Sequence, residues 1–389
     1  VNTCSFLWDS LRELDQVLDA LVEIKNDGTK RELIVTGCVI RRGREQFQKW
    51  YPEVDAWLGL KDFSGLERRL GLAPSRVYPR QPVHSGFHRY LRISDGCDNH
   101  CSYCAIPSIR GPLRSVPMED LVGEAESLAS APTGLPLELT VIAQDTANYG
   151  IDLYGRQALP ELLERLHELP QFQWLRVLYL HPDHFNPDWL GLWTRLPKLL
   201  PYFEIPIQHS EDRILRAMNR RKGRQDLEAL FSTILGELPD AVLRTTVIAG
   251  FPGETRSEAL ALRDFLQRFP FLHLGVFPYS REEGTPAFGL ADQVSLRTAI
   301  NRSDRILLSH RELASSLLES YVGQTVQVLV EELNDEEGKD NWIGRVWFQA
   351  PEIDGLTYVS GSRLSAGKIC QAVVRDVIDL DLFTEAIPS

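Results

Sequence analysis

The sequence predicts an α/β chain built from three folded parts, and three observations lead to that prediction. Through residues 1–75, short apolar runs alternate with amphipathic helical patterns, which is typical of an open α/β domain with a parallel sheet. Six strand-and-helix units over residues 87–320 predict a partial (β/α)6 barrel. From residue 321 the pattern changes to short alternating strands, which predicts a small antiparallel β-barrel over residues 321–389.

Length and composition set limits on the function. With 389 residues, 43% hydrophobic and 25% charged, the chain has the make-up of a soluble globular protein of two or three domains. It contains no apolar run long enough to span a bilayer and opens with no signal peptide, so we expect a cytoplasmic protein with no membrane partner. The net charge of −12 argues against a general polyanion binder and makes nucleic acid an unexpected direct substrate, although local basic patches are compatible with it.

The N-terminal domain begins at Val1 in a pattern that resembles the end of a buried strand, so we expect a segment to precede it and the domain to be truncated here. Residues 32–38 predict a buried strand that ends at a turn glycine, and residues 45–58 predict a helix. An earlier helix has five apolar residues on one face: Leu11, Leu14, Val17, Leu18 and Leu21.

Two cysteines of this domain, Cys4 and Cys38, directly follow predicted strands. Because the carboxyl ends of parallel strands share one edge of a sheet, where ligands bind, we expect the two thiols to be neighbours in space. The alternative for each of them is a small buried apolar side chain, which is a common role of free cysteine.

Residues 76–86 include two prolines and a glycine and predict a linker to the central barrel. The six barrel strands are predicted at residues 89–94, 137–143, 174–179, 203–207, 243–248 and 272–277. A helix over residues 294–320 closes the region. Since barrels of this kind bind their ligands at the carboxyl ends of the strands, we expect the functional site in the loops that follow them.

The loop after the first barrel strand contains Cys97, Cys101 and Cys104. Their C-x3-C-x2-C spacing lets three thiolates bind three irons of a 4Fe-4S cluster and leaves the fourth iron open to a small molecule. Structural zinc is the alternative, but it needs a fourth ligand at short spacing, and His100 inside the loop is poorly placed to provide it. Three crowded cysteines among six also favour metal ligation in a reducing compartment over a disulfide framework.

The other strand ends are polar or rich in glycine. Candidate ligand-binding residues follow the second, fourth and fifth strands: Gln144, Asp145, Gln208, Gly250, Pro252 and Glu254. Glu254 can bind ribose hydroxyls or cap the next helix. His181 and His184 resemble a metal motif, but without a third ligand a polar loop is the preferred interpretation. Arg110 and Arg114 can hold a carboxylate or phosphate, and the alternative for both is a solvated side chain.

The C-terminal barrel is strongly acidic. Residues 321–389 contain 12 acidic and 5 basic side chains, a net charge of −7 out of −12 for the whole chain. The barrel can attract a basic partner or can serve only to pack against the rest of the protein. Cys370 is expected on one of its strands as a plain core residue.

Several long motifs make the whole chain resemble the methylthiotransferase family of radical S-adenosylmethionine enzymes, in which the terminal barrel is called TRAM. The motifs lie at residues 1–4, 35–38, 97–115, 205–209, 245–255 and 350–355. They are most similar to the bacterial branch that modifies an aspartate of a ribosomal protein.

The resemblance implies an enzyme that adds a methylthio group to the β-carbon of an aspartate in a small-subunit ribosomal protein, free or within the ribosome. It implies S-adenosylmethionine on the open iron. Tyr103 and the six strand-end residues above are the candidate cofactor-binding residues, and Arg110 and Arg114 are the candidate substrate-binding residues. It also implies a second 4Fe-4S cluster on Cys4 and Cys38, whose first cysteine ligand would lie ahead of the first residue. Further implied partners are an electron donor such as flavodoxin or ferredoxin and a donor of sulfur or clusters.

Two alternatives remain open at this point. A tRNA adenosine methylthiotransferase would use the same machinery, but its terminal barrel is expected to be basic in order to hold phosphates. The acidic barrel of this chain suits a basic ribosomal protein better. An iron-sulfur redox sensor or binding protein without turnover is the alternative from a different class.

Overall fold

The computed structural model describes residues 1–28, 31–60, 62–73, 86–129, 138–334 and 340–388. Its contacts divide the chain into two compact units. The first unit draws on residues 1–79, 96–113 and 280–290, and the second on residues 80–95, 114–279 and 291–389. The cysteine loop therefore belongs to the same unit as the N-terminal domain. The predicted linker at residues 76–86 lies outside the described residues except for Gly86.

The first unit contains the predicted parallel α/β sheet. Its three strands run in the order β1-β2-β3, with both pairs parallel: β1 (Asn2–Thr3), β2 (Ile34–Gly37) and β3 (Ala56–Leu58). Its helices are α1 (Trp8–Lys25), α2 (Arg44–Trp50), α3 (Phe63–Leu70) and α4 (Ile106–Arg110). Leu11, Leu14 and Leu18 of α1 are buried as predicted, and Leu21 is partly buried against them. The prediction is wrong for Val17, which is 40% exposed.

The predicted helix over residues 45–58 is wrong in its second half. Helix α2 ends at Trp50, and residues 56–58 form β3, which pairs with β2. Pro52 accounts for the break, because a proline ring disfavours helical geometry in the residue before it. Tyr51 accordingly has φ −122° and ψ 69°, outside the helical region. The chain is then free to turn back and add a third strand to the sheet.

The second unit contains the six predicted barrel strands, which are all parallel within two three-stranded sheets. They are β4 (His88–Arg92), β7 (Glu138–Ile142), β8 (Trp174–Val177), β9 (Tyr202–Glu204), β10 (Val242–Ala249) and β11 (Phe271–Pro278). Between β4 and β7 lie two short antiparallel strands, β5 (Ser94–Asp95) and β6 (Arg114–Ser115). The backbone N–H of Leu180 donates to Glu204 O at 3.1 Å, which joins the sheet of β8 to that of β9. The partial barrel predicted from the sequence is confirmed.

Eight α-helices among the described residues of the second unit cover one side of these strands or connect them. They are α5 (Met118–Ala129), α6 (Ile151–Tyr154), α7 (Leu159–His167), α8 (Gly191–Arg195), α9 (Asp212–Ala217), α10 (Arg224–Glu237), α11 (Arg256–Leu266) and α12 (Leu296–Glu319). Alternate strand residues face opposite sides, since the side-chain period of a strand is two. In β8, Leu175 and Val177 join the core beneath the helices, whereas Trp174 joins the core shared with the terminal barrel.

The terminal barrel is a closed five-stranded barrel, as predicted. Its strands are β12 (Thr325–Leu333), β13 (Asn341–Val346), β14 (Thr357–Ser360), β15 (Lys368–Ile378) and β16 (Asp381–Ala386). Four of its five pairs are antiparallel, and β14 with β16 is parallel, which the sequence pattern did not predict. Cys370 lies on β15 opposite Val328 and packs at the edge of the barrel core. No helix among the described residues is long and apolar enough to cross a membrane.

A buried ion network joins the terminal barrel to the parallel strands. Arg176 Nε donates to Glu138 Oε1 at 2.6 Å, and Arg345 Nη1 donates to Glu138 Oε2 at 2.7 Å. Arg176 belongs to β8 and Arg345 to β13, so the carboxylate bridges the two barrels. Burial would raise the pKa of Glu138, but the two guanidinium charges prevail and lower it to about 2. Arg176 also donates to the backbone carbonyl of Trp347 at 2.8 Å.

Replacing Glu138 by glutamine should destabilise the protein by about 3–5 kcal/mol, because it leaves the buried Arg176 guanidinium without a counter-charge and Arg345 with Glu331 alone. Thermal or urea unfolding measures the loss. Glu161→Gln is the matched control, since Glu161 pairs with Arg156 at 2.5 Å on the surface, where such pairs contribute about 0–1 kcal/mol. Equal stability of the two variants would contradict the assigned role of Glu138.

The same network predicts acid sensitivity. The folded-state pKa of Glu138, about 2, lies below its ordinary value, so its contribution to stability is complete above that ordinary value. The contribution is lost as the pH falls through the folded-state pKa. Unfolding curves recorded down to about pH 2 should therefore show a smaller acid-dependent loss in Glu138→Gln than in the unsubstituted protein.

Candidate functional site

The cysteine loop is closed by backbone contacts at its base. Gly96 has φ +77°, and a Cβ atom added there would lie 2.1 Å from the carbonyl oxygen of Pro112. Cys97 N donates to Gly111 O at 3.1 Å, and Leu113 N donates to Asp98 Oδ1 at 2.9 Å. The two ends of the loop are thus drawn together, and only glycine fits at position 96.

Within the loop, a tight turn brings the second and third cysteines together. Cys104 N donates to Cys101 O at 3.0 Å, and Asn99 N lies 3.4 Å from Cys97 Sγ. Cys101 is buried, whereas Cys97 and Cys104 are half-buried. Three thiols with limited exposure in one short closed loop are a donor set that fits a 4Fe-4S cluster with one open iron. Tyr103, predicted to bind the cofactor, lies inside this turn and is half-buried.

The other two cysteines lie side by side at one edge of the N-terminal sheet. Thr3 of β1 pairs with Gly37 of β2, and Cys4 and Cys38 are the residues that follow. Gly37 has φ +111°, and a Cβ atom there would lie 2.3 Å from Thr3 O, so glycine is needed for the strands to approach. Cys38 is buried and Cys4 is exposed.

One hydrophobic cluster contains Cys38 and residues that follow the cysteine loop. Cys38 packs with Ala105 and Ile109, which directly follow the cysteine loop, and with Phe6 and Leu60 around them. Cys4 is exposed, whereas Cys38 has apolar surroundings. The structure thus brings together two cysteine sets that are far apart in the sequence.

A segment of the first unit that sequence reasoning missed connects both cysteine sets. Glu282 is buried and accepts hydrogen bonds from Trp8 N at 3.1 Å and from Arg42 Nη2 at 2.6 Å. In the same segment, Ala287 N donates to Ser102 O at 2.8 Å, inside the cysteine loop. Trp8 and Arg42 each lie four residues after one cysteine of the pair Cys4 and Cys38. The sequence contains one indication of this role, which is that Glu282 is an acidic residue just after the last barrel strand.

In the second unit, the strand ends contain buried polar atoms that suit a polar ligand. Gln144 Oε1 and His209 Nε2 are buried and have no hydrogen-bond partner among the described residues. Buried polar atoms in folded proteins are normally satisfied, so such atoms point to a ligand. Burial lowers the pKa of His209 to about 3, and its Nδ1 accepts a hydrogen bond from Glu211 N at 3.0 Å, so its Nε2 carries the proton. Gln208, the preceding residue, has a left-handed backbone with φ +69°.

Glu254 shapes the glycine turn after β10. Its Oε2 accepts from Gly250 N at 2.6 Å, and its Oε1 accepts from Arg302 Nη1 at 2.9 Å. Helix capping by Glu254 is excluded, because Thr255 caps α11 and accepts from Glu258 N. Burial raises the pKa of Glu254. With both oxygens already engaged, Glu254 is better suited to holding the turn than to binding ribose directly.

Gly250 and Pro252 lie in that turn. A Cβ atom at Gly250 would lie 2.4 Å from Ala299 Cβ of α12, so this glycine is required by helix packing. Close approach of a ligand to the backbone of Gly250 stays a prediction. Pro252 is buried beside it.

Asp145 lies beside His181 and His184, and the sequence did not predict this neighbour. The ligand atoms of these three residues lie within 4.8 Å of one another, and His184 Nδ1 is 2.6 Å from Asp145 Oδ2. A cation there is disfavoured, because Arg220 Nη1 lies 2.7 Å from His181 Nε2. Burial and the nearby arginine charge lower the pKa of His181 and keep it neutral. The group is a polar network, as the sequence interpretation preferred.

Arg110 and Arg114, the predicted substrate-binding residues, belong to different units. Arg110 ends helix α4 in the first unit and is half-buried, whereas Arg114 lies on β6 in the second unit, opposite Asp95, and is exposed. Their role in substrate binding stays a prediction.

Comparison with known proteins agrees with this geometry. Residues 91–266 match the Radical SAM superfamily, and residues 322–387 match the TRAM domain. Ribosomal protein uS12 methylthiotransferase RimO of Thermotoga sp. (strain RQ2) is 39% identical over 393 residues, covering 98% of this chain and 89% of the relative. The enzyme of the same name from Clostridioides difficile (strain 630) is 36% identical over 404 residues, covering 100% and 89%.

Solved structures support the fold alone. The radical S-adenosylmethionine methyltransferase TsrM from Kitasatospora setae aligns with a TM-score of 0.55 at 14% identity, covering 70% of this chain and 59% of that one. The cobalamin-dependent S-adenosylmethionine radical enzyme OxsB aligns with a TM-score of 0.51 at 13% identity, covering 81% and 47%.

The fold and the three-cysteine loop define a radical S-adenosylmethionine enzyme, whose cofactors are a 4Fe-4S cluster and S-adenosylmethionine. The sequence identity to the uS12 methylthiotransferases over nearly the full chain also identifies the family. The chain belongs to the ribosomal protein uS12 methylthiotransferase family, and it is a radical S-adenosylmethionine methylthiotransferase.

Replacing Gly96 by alanine should open the cysteine loop, because the added Cβ collides with Pro112 O. We expect the anaerobically reconstituted variant to lose about four irons per chain and the visible absorbance of one cluster. Gly71→Ala is the matched control. It has a similar φ of +67° but nothing within 4 Å of the added Cβ, so it should retain full iron content.

Proposed function

We propose that this protein adds a methylthio group to the β-carbon of one aspartate in ribosomal protein uS12, using a second 4Fe-4S cluster held in part by Cys4 and Cys38. The packing of Cys38 against Ala105 and Ile109 carries the proposal, because these two residues directly follow the loop that would hold the first cluster. Full-length relatives that bear the name of uS12 methylthiotransferase support the substrate.

With the first cluster and S-adenosylmethionine bound, the cofactors supply a 5′-deoxyadenosyl radical that can remove hydrogen from an unactivated carbon. The protein's own residues position and protect that chemistry. Cys97, Cys101 and Cys104 would hold the first cluster, in a loop closed at Gly96. Cys4 and Cys38 would supply two thiolates of the second.

Residues of the second unit would bind the organic cofactor. Gln144 offers a buried carbonyl acceptor and His209 a buried N–H donor, both without a partner among the described residues. Glu254 would act by holding the turn at Gly250. Glu282 would hold the segments that follow Cys4 and Cys38 by accepting hydrogen bonds from Trp8 and Arg42. An electron donor such as flavodoxin or ferredoxin and a source of sulfur stay predictions from the resemblance.

The acidic terminal barrel argues for a protein substrate over tRNA. Phosphate groups of tRNA would be repelled by a module of net charge −7, whereas a basic ribosomal protein would be attracted. Mass spectrometry of the small-subunit proteins should show loss of an adduct of about 46 daltons from one uS12 aspartate when the gene is deleted. An unmodified tRNA adenosine together with an unchanged uS12 would support the tRNA alternative instead.

Single cysteine variants separate the two clusters. Cys97→Ala should abolish both 5′-deoxyadenosine formation and methylthio transfer with the reduced full-length protein. Cys38→Ala should abolish transfer and still form 5′-deoxyadenosine, since the first cluster is intact. Cys370→Ala, which lies in the terminal barrel, is the control and should retain both reactions. Complete absence of 5′-deoxyadenosine from the unsubstituted protein would favour a sensor without turnover.

Gly37→Ala tests the second cluster without removing a thiol. The added Cβ would lie 2.3 Å from Thr3 O and push apart the strands that carry Cys4 and Cys38. We expect iron to fall from about eight to about four per chain, as measured by iron and sulfide analysis. Gly43→Ala is the control, because its φ of +114° imposes similar strain but its nearest contact is an ordinary 3.5 Å. An unchanged iron content in Gly37→Ala would count against the second site.

A further inference from the structure

A cleft on the second unit has a charge opposite to that of the chain as a whole. Helices α11 and α12 lie side by side and parallel, because Arg302 Nη1 is 2.9 Å from Glu254 O near their beginnings and Gln267 Nε2 is 3.0 Å from Ser309 O near the end of α11. The cleft between them has a volume of about 380 Å³ and nine lining residues. None of its lining residues is one of the candidate strand-end residues described above.

Four of the nine lining residues are arginines, namely Arg256, Arg263, Arg302 and Arg305. Among the lining residues that the structure describes, none is acidic, and Asp304, the neighbour of Arg305 in sequence, is not one of them. The chain has 42 basic and 54 acidic residues, so four arginines without an acidic residue is a local reversal of its charge.

Two of these arginines are free to bind a ligand. Arg302 is engaged by Glu254, and Arg263 pairs with Asp264 at 2.9 Å. Arg256 and Arg305 are exposed and make no hydrogen bond or ion pair with another residue in the described parts of the chain. Arg256 is the first residue of α11, where the helix dipole adds positive potential.

These features favour phosphate as the ligand. The planar guanidinium group binds phosphate through two parallel hydrogen bonds, and weak hydration lets it do so at a surface. The lining contains no aromatic residue on which a base could stack, so the cleft suits the backbone of a nucleic acid and not recognition of its bases. Thr298 and Asn301 provide further polar groups of the kind that contact phosphate and sugar.

We propose that this cleft binds the phosphate backbone of ribosomal RNA, so that the enzyme's substrate is uS12 within the RNA-containing small subunit. The inference rests on the proposed function for the identity of the neighbouring protein substrate. Because the rest of the chain is acidic, a local arginine cleft is what permits contact with RNA without general binding to nucleic acid. The acidic terminal barrel and the basic cleft would then meet the protein and the RNA of one particle.

The test compares two double variants that remove equal charge. Arg256→Gln/Arg305→Gln alters the cleft, and Arg216→Gln/Arg297→Gln removes two exposed arginines outside its lining. Binding to small ribosomal subunits from a deletion strain is measured as Kd over a range of salt concentrations. We expect the cleft variant to bind about tenfold more weakly, with the salt dependence reduced by about one for each arginine removed. The control should bind like the unsubstituted protein.

Activity and competition distinguish the sources of phosphate. Methylthio transfer to subunits should fall in the cleft variant, whereas transfer to free uS12 should not change. Equal binding by the two double variants, or an equal loss of transfer on free uS12, would overturn the proposal. Competition by millimolar inorganic phosphate as strong as that by subunit RNA would also overturn it, in favour of a small-anion site.

The proposed reaction and the proposed binding of RNA by the cleft can be contradicted independently. Should uS12 in either form receive no methylthio group while the cleft variant still loses affinity for subunits, the proposed reaction would be wrong and the RNA cleft upheld. Equal melting temperatures of the two double variants ensure that the comparison reports binding and not folding.

Discussion

The carboxylate of Glu138, held between Arg176 and Arg345, is the interaction on which the arrangement of the second unit depends. A charge this deeply buried is stable only when it is paired, and its two partners come from different barrels. Separating the barrels would break the Arg345–Glu138 pair and leave Glu138 with Arg176 alone and Arg345 with Glu331 alone. The terminal barrel is therefore a fixed part of this unit and not a tethered module. Tyr202 strengthens the same junction by donating to Asp354 at 2.7 Å.

In the first unit, packing brings Cys38 next to the cysteine loop, although the two are far apart in the chain. Glycines at two crowded positions, Gly37 and Gly96, allow backbones to approach where any side chain would collide. Packing of Cys38 against Ala105 then joins the sheet edge to the cysteine loop. Glu282, buried and triply hydrogen-bonded, ties a third segment to both. Close packing sets the positions of the cysteines in this unit. Small changes in that packing should therefore lower the cluster content before they affect overall folding.

Local patterns predicted the elements well and failed where a single residue overrode them. Alternating and buried apolar runs located all six barrel strands and the closed terminal barrel. The helix predicted beyond Trp50 failed because Pro52 excludes helical geometry in the residue before it. The prediction that Glu254 caps the next helix is wrong, because Thr255 caps it and Glu254 accepts a hydrogen bond from Gly250 N of its own turn. Which residue ends or caps a helix depends on competition between neighbouring side chains, and the periodicity of apolar residues does not show that competition.

The sequence by itself determined the spacing of Cys97, Cys101 and Cys104 and the alternation of strands and helices, because both are properties of residues close together in the chain. Only the tertiary structure decided that Cys38 packs beside this loop and that Arg256 and Arg305 line one cleft. These are contacts between segments far apart in sequence. Their formation depends on how whole elements pack, since each partner alone is an ordinary buried thiol or an ordinary surface arginine.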